Sequence, residues 1–121
     1  MKPLIHIVED DSAIRESLKL MLETRGYEVE AFADGAALLE HRDNARCACL
    51  ILDVNLPGDD GFGVLAKLRA AGFDTPAIFM SGRASPRMRD KAQAAHALAF
   101  FAKPVAPADL LGAIARATAH T

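Results

Sequence analysis

Polar side chains stand directly behind four of the five short apolar runs in this chain. Glu9, Asp10 and Asp11 follow LIHIV (4–8). Asp53 ends CACLILD (47–53), with Asn55 two residues on. Ser81 follows AIFM, and Lys103 follows ALAFFA (97–102). The run at 27–32 ends in Phe32 and Ala33 and offers no such group. Glu9, Asp10 and Asp53 come from two different runs, and three carboxylates brought together repel unless a cation joins them or a partner neutralises them. A site with only oxygen ligands favours Mg²⁺ over zinc or copper. Mg²⁺ held by few protein groups keeps positions open for water and phosphate oxygens. An ammonium such as Lys103 and a hydroxyl such as Ser81 then suit a phosphoryl group.

Taken singly, these residues say little. An acid after a strand often caps the next helix, which is the plainer reading of Asp11. Ser81 alone fits a turn, and Lys103 alone a solvated charge. Asp53 is harder to set aside, because it ends the most apolar run and does not directly precede a helix. The weight lies in the combination, which requires an architecture that delivers all four runs to one edge.

The runs alternate with helical patterns. Ile14, Leu18, Met21 and Leu22 recur at helical spacing between Ser12 and Arg25. Asp11 or Ser12 can cap that helix and Gly26 can end it. YEVEAF (27–32) alternates as a half-buried strand, and Asp34 can cap a short helix through Leu38 and Leu39. CACLILD is apolar enough for a central parallel strand. VNLPGDDG is a turn-rich loop, after which Phe62, Leu65 and Leu68 mark a third helix that Gly72 can close. Ser85-Pro86 reads as an N-cap followed by Pro at the first helical position. The helix it opens is basic, with Arg87, Arg89 and Lys91 and only Met88 as a large apolar residue. Leu110, Leu111 and Ile114 mark a last helix from Pro107 or Ala108 onward. Five strand–helix units in strict alternation predict an α/β fold, a parallel sheet with helices on both faces. In such sheets sites form at the carboxyl edge of the strands.

The chain has 121 residues, which predicts one domain spanning 1–121. Fourteen basic against sixteen acidic side chains give a net charge of −2, so no drive toward nucleic acid or an anionic membrane is expected. No apolar run is long enough to span a bilayer and the N-terminus lacks a signal-peptide pattern, which makes the cytoplasm the expected compartment. Cys47 and Cys49 lie in an apolar run with no neighbouring His or Cys in sequence to complete a zinc site, and are read as buried small hydrophobes.

The motifs IVEDD, LILDVNLPGDDG, FMSG and FFAKPV, in that order and each at the end of its expected strand, resemble those of the receiver domains of two-component response regulators. The resemblance covers essentially the whole chain. Within the family it looks nearest to the receivers of nitrogen-fixation-type regulators, and it extends to the chemotaxis regulator. It implies the flavodoxin-like, doubly wound five-stranded sheet in order 2-1-3-4-5 with five helices. By matching position, Asp53 is implied as the phosphate acceptor. Asp10, the Asp53 carboxylate and the main-chain carbonyl of Asn55 are implied to hold Mg²⁺, with Glu9 acting through water and Asp11 just outside the set. Lys103 would pair with Asp53 or its phosphate, Ser81 would close on the phosphoryl oxygens, and Phe100 takes the aromatic switch position. A cis bond is expected between Lys103 and Pro104.

The implied partners are a sensor histidine kinase or histidine phosphotransfer protein as donor, and an output protein or effector domain on a surface of the fourth helix, fifth strand and fifth helix. A phosphorylation-dependent dimer is a further option. The chain would be a signalling phosphoacceptor that catalyses its own phosphorylation and dephosphorylation, and action through a separate bound partner is expected. Three residues depart from the common pattern: His96 where Gly is usual, Arg83 close to the phosphate, and Ser81 where Thr is also frequent. An alternative is a haloacid-dehalogenase-like phosphatase, but that resemblance requires DxD after the first strand and a cap insertion. A phosphorylation-independent interaction module is another alternative, disfavoured by the intact acid set. A nucleotide site is disfavoured because no Gly-rich loop joins the first strand to the first helix.

Overall fold

The computed structural model describes residues 2–119, apart from the side chains of Arg42 and Asp43. Five strands alternate with five helices: β1 (Leu4–Val8), α1 (Ser12–Thr24), β2 (Glu28–Phe32), α2 (Gly35–Leu39), β3 (Cys47–Asp53), α3 (Gly61–Ala70), β4 (Ala77–Ser81), α4 (Pro86–Ala94), β5 (Ala99–Ala102) and α5 (Pro107–Thr118). A short 3-10 helix (Arg42–Arg46) lies between α2 and β3. The strands form one parallel sheet in the order β2-β1-β3-β4-β5. Five strands, five α-helices and that order are the flavodoxin-like arrangement expected from the sequence.

Alternation along each strand divides the core into two layers. Ile5, Ile7, Cys49, Ile51, Ile78 and Met80 face Leu22 of α1 and Leu110 and Ile114 of α5. Val8, Leu50, Leu52 and Phe79 face Leu38 of α2, Val64, Leu65 and Leu68 of α3, and Ala92 of α4. β3 is buried at all seven residues, as befits a strand flanked on both sides and covered on both faces. The edge strand β5 is only half-buried, and its first residue is Ala99 rather than Ala97. Ala97 belongs to the turn that ends α4, where its N–H donates to the carbonyl of Ala92 at 3.0 Å. Tyr27 likewise precedes β2, because its N–H closes the end of α1 on the carbonyl of Leu22 at 3.2 Å.

Helix caps follow side-chain chemistry. Asp11 Oδ1 accepts from the N–H groups of Ala13 and Ile14 at 2.9 and 3.1 Å. Asp34 caps α2 through Ala37, Asp60 caps α3 through Gly63, and Ser85 caps α4 through Met88 with Pro86 at its first position. Gly26 and Gly72 end their helices at φ 93° and 92°. At the end of α4 that left-handed position falls to His96, at φ 58°, a conformation that glycine adopts without cost and a side-chain-bearing residue does not. Among the described residues, no helix is long and apolar enough to cross a membrane.

Register aligns the strand ends. Val8 pairs with Leu52, Asp53 with Met80, and Ser81 with Ala102. Glu9, Asp53, Ser81 and Lys103 therefore emerge side by side at the carboxyl edge. One contact there leaves no room for a side chain. A Cβ on Gly61 would lie 2.5 Å from the carbonyl oxygen of Asp53, so only glycine lets α3 begin this close to the end of β3.

Candidate functional site

Among the described residues, three of the five buried polar ones converge at this edge. Glu9, Asp53 and Ser81 are each at most 3% exposed. Such groups stay buried only with partners, and Lys103 is the partner of two. Its Nζ donates to Glu9 Oε1 at 2.5 Å and to Asp53 Oδ2 at 3.0 Å. The other Asp53 oxygen, Oδ1, accepts from the backbone N–H of Asn55 at 3.1 Å. The Lys103–Pro104 bond is cis, as expected. Carboxylate oxygens of Glu9, Asp10 and Asp53 lie within 4.8 Å of one another, with Asp10 exposed to solvent. Asn55 and Arg83 line the same open cleft as these acids.

The two buried carboxyls titrate in opposite directions. Burial pushes Glu9 up to about 7, the adjoining Asp53 carboxylate adds to the rise, and Lys103 opposes it. Burial would also raise Asp53, but hydrogen bonds with Glu9, Lys103 and the Asn55 N–H outweigh it and hold Asp53 below the usual carboxylate range. Lys103 is raised: burial disfavours its charge, and the two acids more than restore it. One proton thus goes to Glu9 first, and Asp53 stays ionised. Glu9 Oε2 is buried with no hydrogen-bond partner. An unsatisfied buried oxygen in an all-oxygen cluster fits a hard cation or a water bound to it, which is the donor set Mg²⁺ prefers.

Ser81 is engaged elsewhere. Its hydroxyl donates to Asn55 Oδ1 at 2.7 Å, lies 3.6 Å from Met88 Sδ, and accepts from the backbone N–H of Arg83 at 3.0 Å. Phe100 is half-buried on β5, and the Arg89 guanidinium of α4 sits over its ring at 5.0 Å from the centroid. Lys91 covers Phe62 similarly at 4.9 Å. Arg87, Arg89 and Lys91 are all exposed, as the sequence suggests, yet two of them lie on aromatic rings.

The structure brings Glu9, Asp10, Asp53 and Lys103 together, and places Asn55 and Ser81 beside them. Asp11 stands apart as a helix cap. The sequence reading missed Arg15, whose Nη1 donates to the carbonyl of Glu9 at 2.7 Å and secures the loop after β1. Its place one turn into α1, below the acids, is the only signal. It also missed the Asn55 side chain as a partner of Ser81, and the pairing of Arg89 with Phe100.

The chain matches the family model for the response regulator receiver domain over residues 5–115. It is 41% identical over 111 residues to the response regulator protein TmoT of Ectopseudomonas mendocina, a match covering 92% of this chain and 50% of TmoT. It is 31% identical over 100 residues to the transcriptional regulatory protein FixJ of Bradyrhizobium diazoefficiens, covering 83% of this chain and 49% of FixJ. The likeness to FixJ is thus weaker than that to TmoT. This chain spans about half the length of the curated relatives it matches. The CheY-like receiver domain protein of Methanospirillum hungatei superposes with a TM-score of 0.88 at 32% identity, covering 99% of this chain and 96% of that one. Receivers bind Mg²⁺ through acidic residues, and the carboxyl edge of this sheet carries such a cluster. The chain belongs to the response-regulator receiver family of two-component signalling.

Proposed function

We propose that Asp53 is the phosphoacceptor of this receiver. The observation that carries this reading is the buried Asp53 carboxylate at the end of the central strand, held ionised by Lys103 at 3.0 Å and adjoined by Glu9 and Asp10. One Asp53 oxygen attacks the phosphorus of a phosphohistidine or a small acyl phosphate in line. The new P–O bond forms as the bond to the donor's imidazole nitrogen or carboxylate oxygen breaks, and the leaving group carries away the electron pair. Lys103 sits where it can offset charge on the equatorial oxygens, so positioning and electrostatics carry the rate. Asp10, the Asp53 carboxylate and the Asn55 carbonyl would hold Mg²⁺, with Glu9 acting through water; the ion supplies charge neutralisation on the phosphoryl oxygens. Water later hydrolyses the aspartyl phosphate.

The phosphoryl dianion then competes with Asn55 for the Ser81 hydroxyl. Ser81 moving toward Asp53 withdraws from Met88 of α4, which couples the chemistry to the face formed by α4, β5 and α5, where Phe100 lies on β5. That face is the proposed contact for an output partner, for a further domain of a longer polypeptide, or for a second phosphorylated copy. A histidine kinase or phosphotransfer protein of the cytoplasm is the proposed donor. Residues 1–121 act as one receiver unit that modifies itself rather than turning over an external substrate.

Incubation with Mg²⁺ and acetyl phosphate tests this. The expected result is a mass increase of one phosphoryl group, absent in Asp53→Asn with the fold intact by circular dichroism. Undiminished labelling of that variant at another Asp overturns the assignment.

A further inference from the structure

A second cluster of ligating side chains lies at the opposite edge of the sheet, away from β5 and α4. His6 of β1 pairs in register with Glu30 of β2, so both side chains rise from the same sheet face on strands about 4.8 Å apart. His41 joins them from the turn after α2, where its N–H donates to the carbonyl of Leu38 at 3.0 Å. His6 Nε2 lies 3.1 Å from Glu30 Oε1, and His41 Nε2 lies 2.6 Å from Glu30 Oε2. One ligand atom from each residue falls within a 4.8 Å group. We propose that His6, Glu30 and His41 form a transition-metal site, distinct from the acidic cluster, that takes Zn²⁺.

The donor chemistry separates the two sites. Two imidazoles and one carboxylate are a borderline set that suits Zn²⁺ and related d-block ions, whereas the all-oxygen cluster suits Mg²⁺. Zinc bonds nitrogen at about 2.0–2.1 Å and carboxylate oxygen at about 2.0–2.2 Å, so tetrahedral ligand atoms stand roughly 3.4 Å apart. The two nitrogen–oxygen separations, 3.1 and 2.6 Å, fall below that spacing, and all three ligand atoms lie within 4.8 Å of one another. Three protein ligands leave a fourth position for water.

The cluster is also built to hold its shape. The Phe32 ring, two residues beyond Glu30 on the same face, packs edge-on against both imidazoles, with centroids 5.3 Å from His6 and 5.0 Å from His41. The imidazoles are edge-on to each other at 5.4 Å. Asn44 Nδ2 donates to the carbonyl of Leu38 at 2.8 Å and braces the turn that carries His41. His6 is 1% exposed, while Glu30 and His41 are 28% and 29% exposed, so an ion reaches the site from the Glu30–His41 side. His6 of β1 precedes Glu9, the residue just past that strand, by three residues, which puts the site roughly 10 Å from the acidic cluster along the strand direction. A bound ion would tie β1, β2 and the α2 turn together.

Titration calorimetry of tag-free protein with ZnCl₂ in excess Mg²⁺ tests the proposal, with Asp10→Ala/Asp53→Asn protein run in parallel to remove the acidic cluster. The expected result is one equivalent of zinc in both proteins, with affinity falling by more than about tenfold in His41→Ala and in Glu30→Gln, since loss of a ligand costs at least what loss of an outer-shell partner does. His96→Gly should bind as wild type does. Zinc should also raise Tm in a concentration-dependent way in wild type and not in His41→Ala. Substituting Co²⁺ should give a visible spectrum of nitrogen and oxygen ligation without a thiolate charge-transfer band, which separates this site from Cys47. No zinc binding at submillimolar concentration overturns the proposal. So does binding that persists in His41→Ala, or that disappears with Asp10 and Asp53.

Discussion

The hydroxyl of Ser81 donates to the side-chain oxygen of Asn55 at 2.7 Å, within the very loop that follows Asp53. The hydroxyl is therefore held on a neighbour of the proposed acceptor rather than on Asp53 itself. Asn55→Ala keeps the backbone N–H that serves Asp53 and the backbone carbonyl proposed to hold Mg²⁺, and removes only the competitor for Ser81. A net hydrogen bond is worth about 0.5–1.5 kcal/mol. Beryllofluoride should accordingly bind Asn55→Ala about two- to tenfold more tightly than wild type in the presence of Mg²⁺. Fluorine NMR titration reads this directly, and unchanged or weaker affinity would count against the latch.

The opposed carboxyls predict a pH dependence in metal-free protein. Glu9 has a folded pKa of about 7 against an ordinary 4.5, so its protonated form favours the folded state. That contribution is complete below about 4.5 and is lost as pH rises through 7. Asp53 is lowered and Lys103 raised, so neither changes charge in that window. In EDTA, stability should fall between pH 5 and pH 8, by at most about 3 kcal/mol from the size of the shift. Glu9→Gln should flatten the curve. Urea midpoints across this range decide the matter, and a wild-type curve that stays level would contradict it.

The pairing of Arg89 with Phe100 bears on where the molecule responds. α4 buries only Ala92 completely, with Met88 half-buried, and sparse apolar burial implies low local stability. Beryllofluoride with Mg²⁺ should lower amide exchange across residues 82–104 more than in α1. Arg89→Ala removes a cation–π contact worth about 0.5–1 kcal/mol at an exposed position, and should raise exchange in the same segment before activation. No change across 82–104 with Asp53 demonstrably modified would instead point to a loop already fixed at Arg83.

Two backbone positions carry predictions of opposite sign. Gly61→Ala forces a methyl into the carbonyl of Asp53, and should cost about 2 kcal/mol or more, in the range of overpacked sites, with slowed phosphorylation. His96→Gly relieves a left-handed residue at φ 58°, worth about 1–2 kcal/mol, less the greater freedom glycine regains on unfolding, about 0.5–1 kcal/mol. A gain of about 0.5 kcal/mol in chemical denaturation is expected. A loss would mean that the His96 side chain makes a compensating contact.

How far the sequence could be read depended on how local each signal was. β1, β3 and β4 are continuous apolar runs and lie where those runs lie. The residues behind them were legible because a parallel sheet gathers strand ends. The start of β5 was not, because Ala97 and Leu98 are as apolar as the strand and only the backbone closure of α4 assigns Ala97 to a turn. The 3-10 helix at Arg42–Arg46 has no apolar periodicity to announce it. Side-chain partners across the fold were beyond reach. Nothing in the spacing of residues 6, 30 and 41 shows that two imidazoles meet one carboxylate, since that rests on the register of β1 with β2. The preference of Lys103 for Glu9 as well as Asp53 is likewise a property of the folded edge.

The complete burial of β3 has a consequence for how such a domain diversifies. A strand with hydrogen-bonded neighbours on both sides and side chains packed above and below accepts few replacements, since a change of a single methylene is felt in so dense a setting. Asp53 therefore rides on the least editable part of the chain, while α4 offers exposed positions whose replacement disturbs little of the core. On the proposed output face, replacements in that helix would change the partner while leaving the proposed chemistry at Asp53 unaltered.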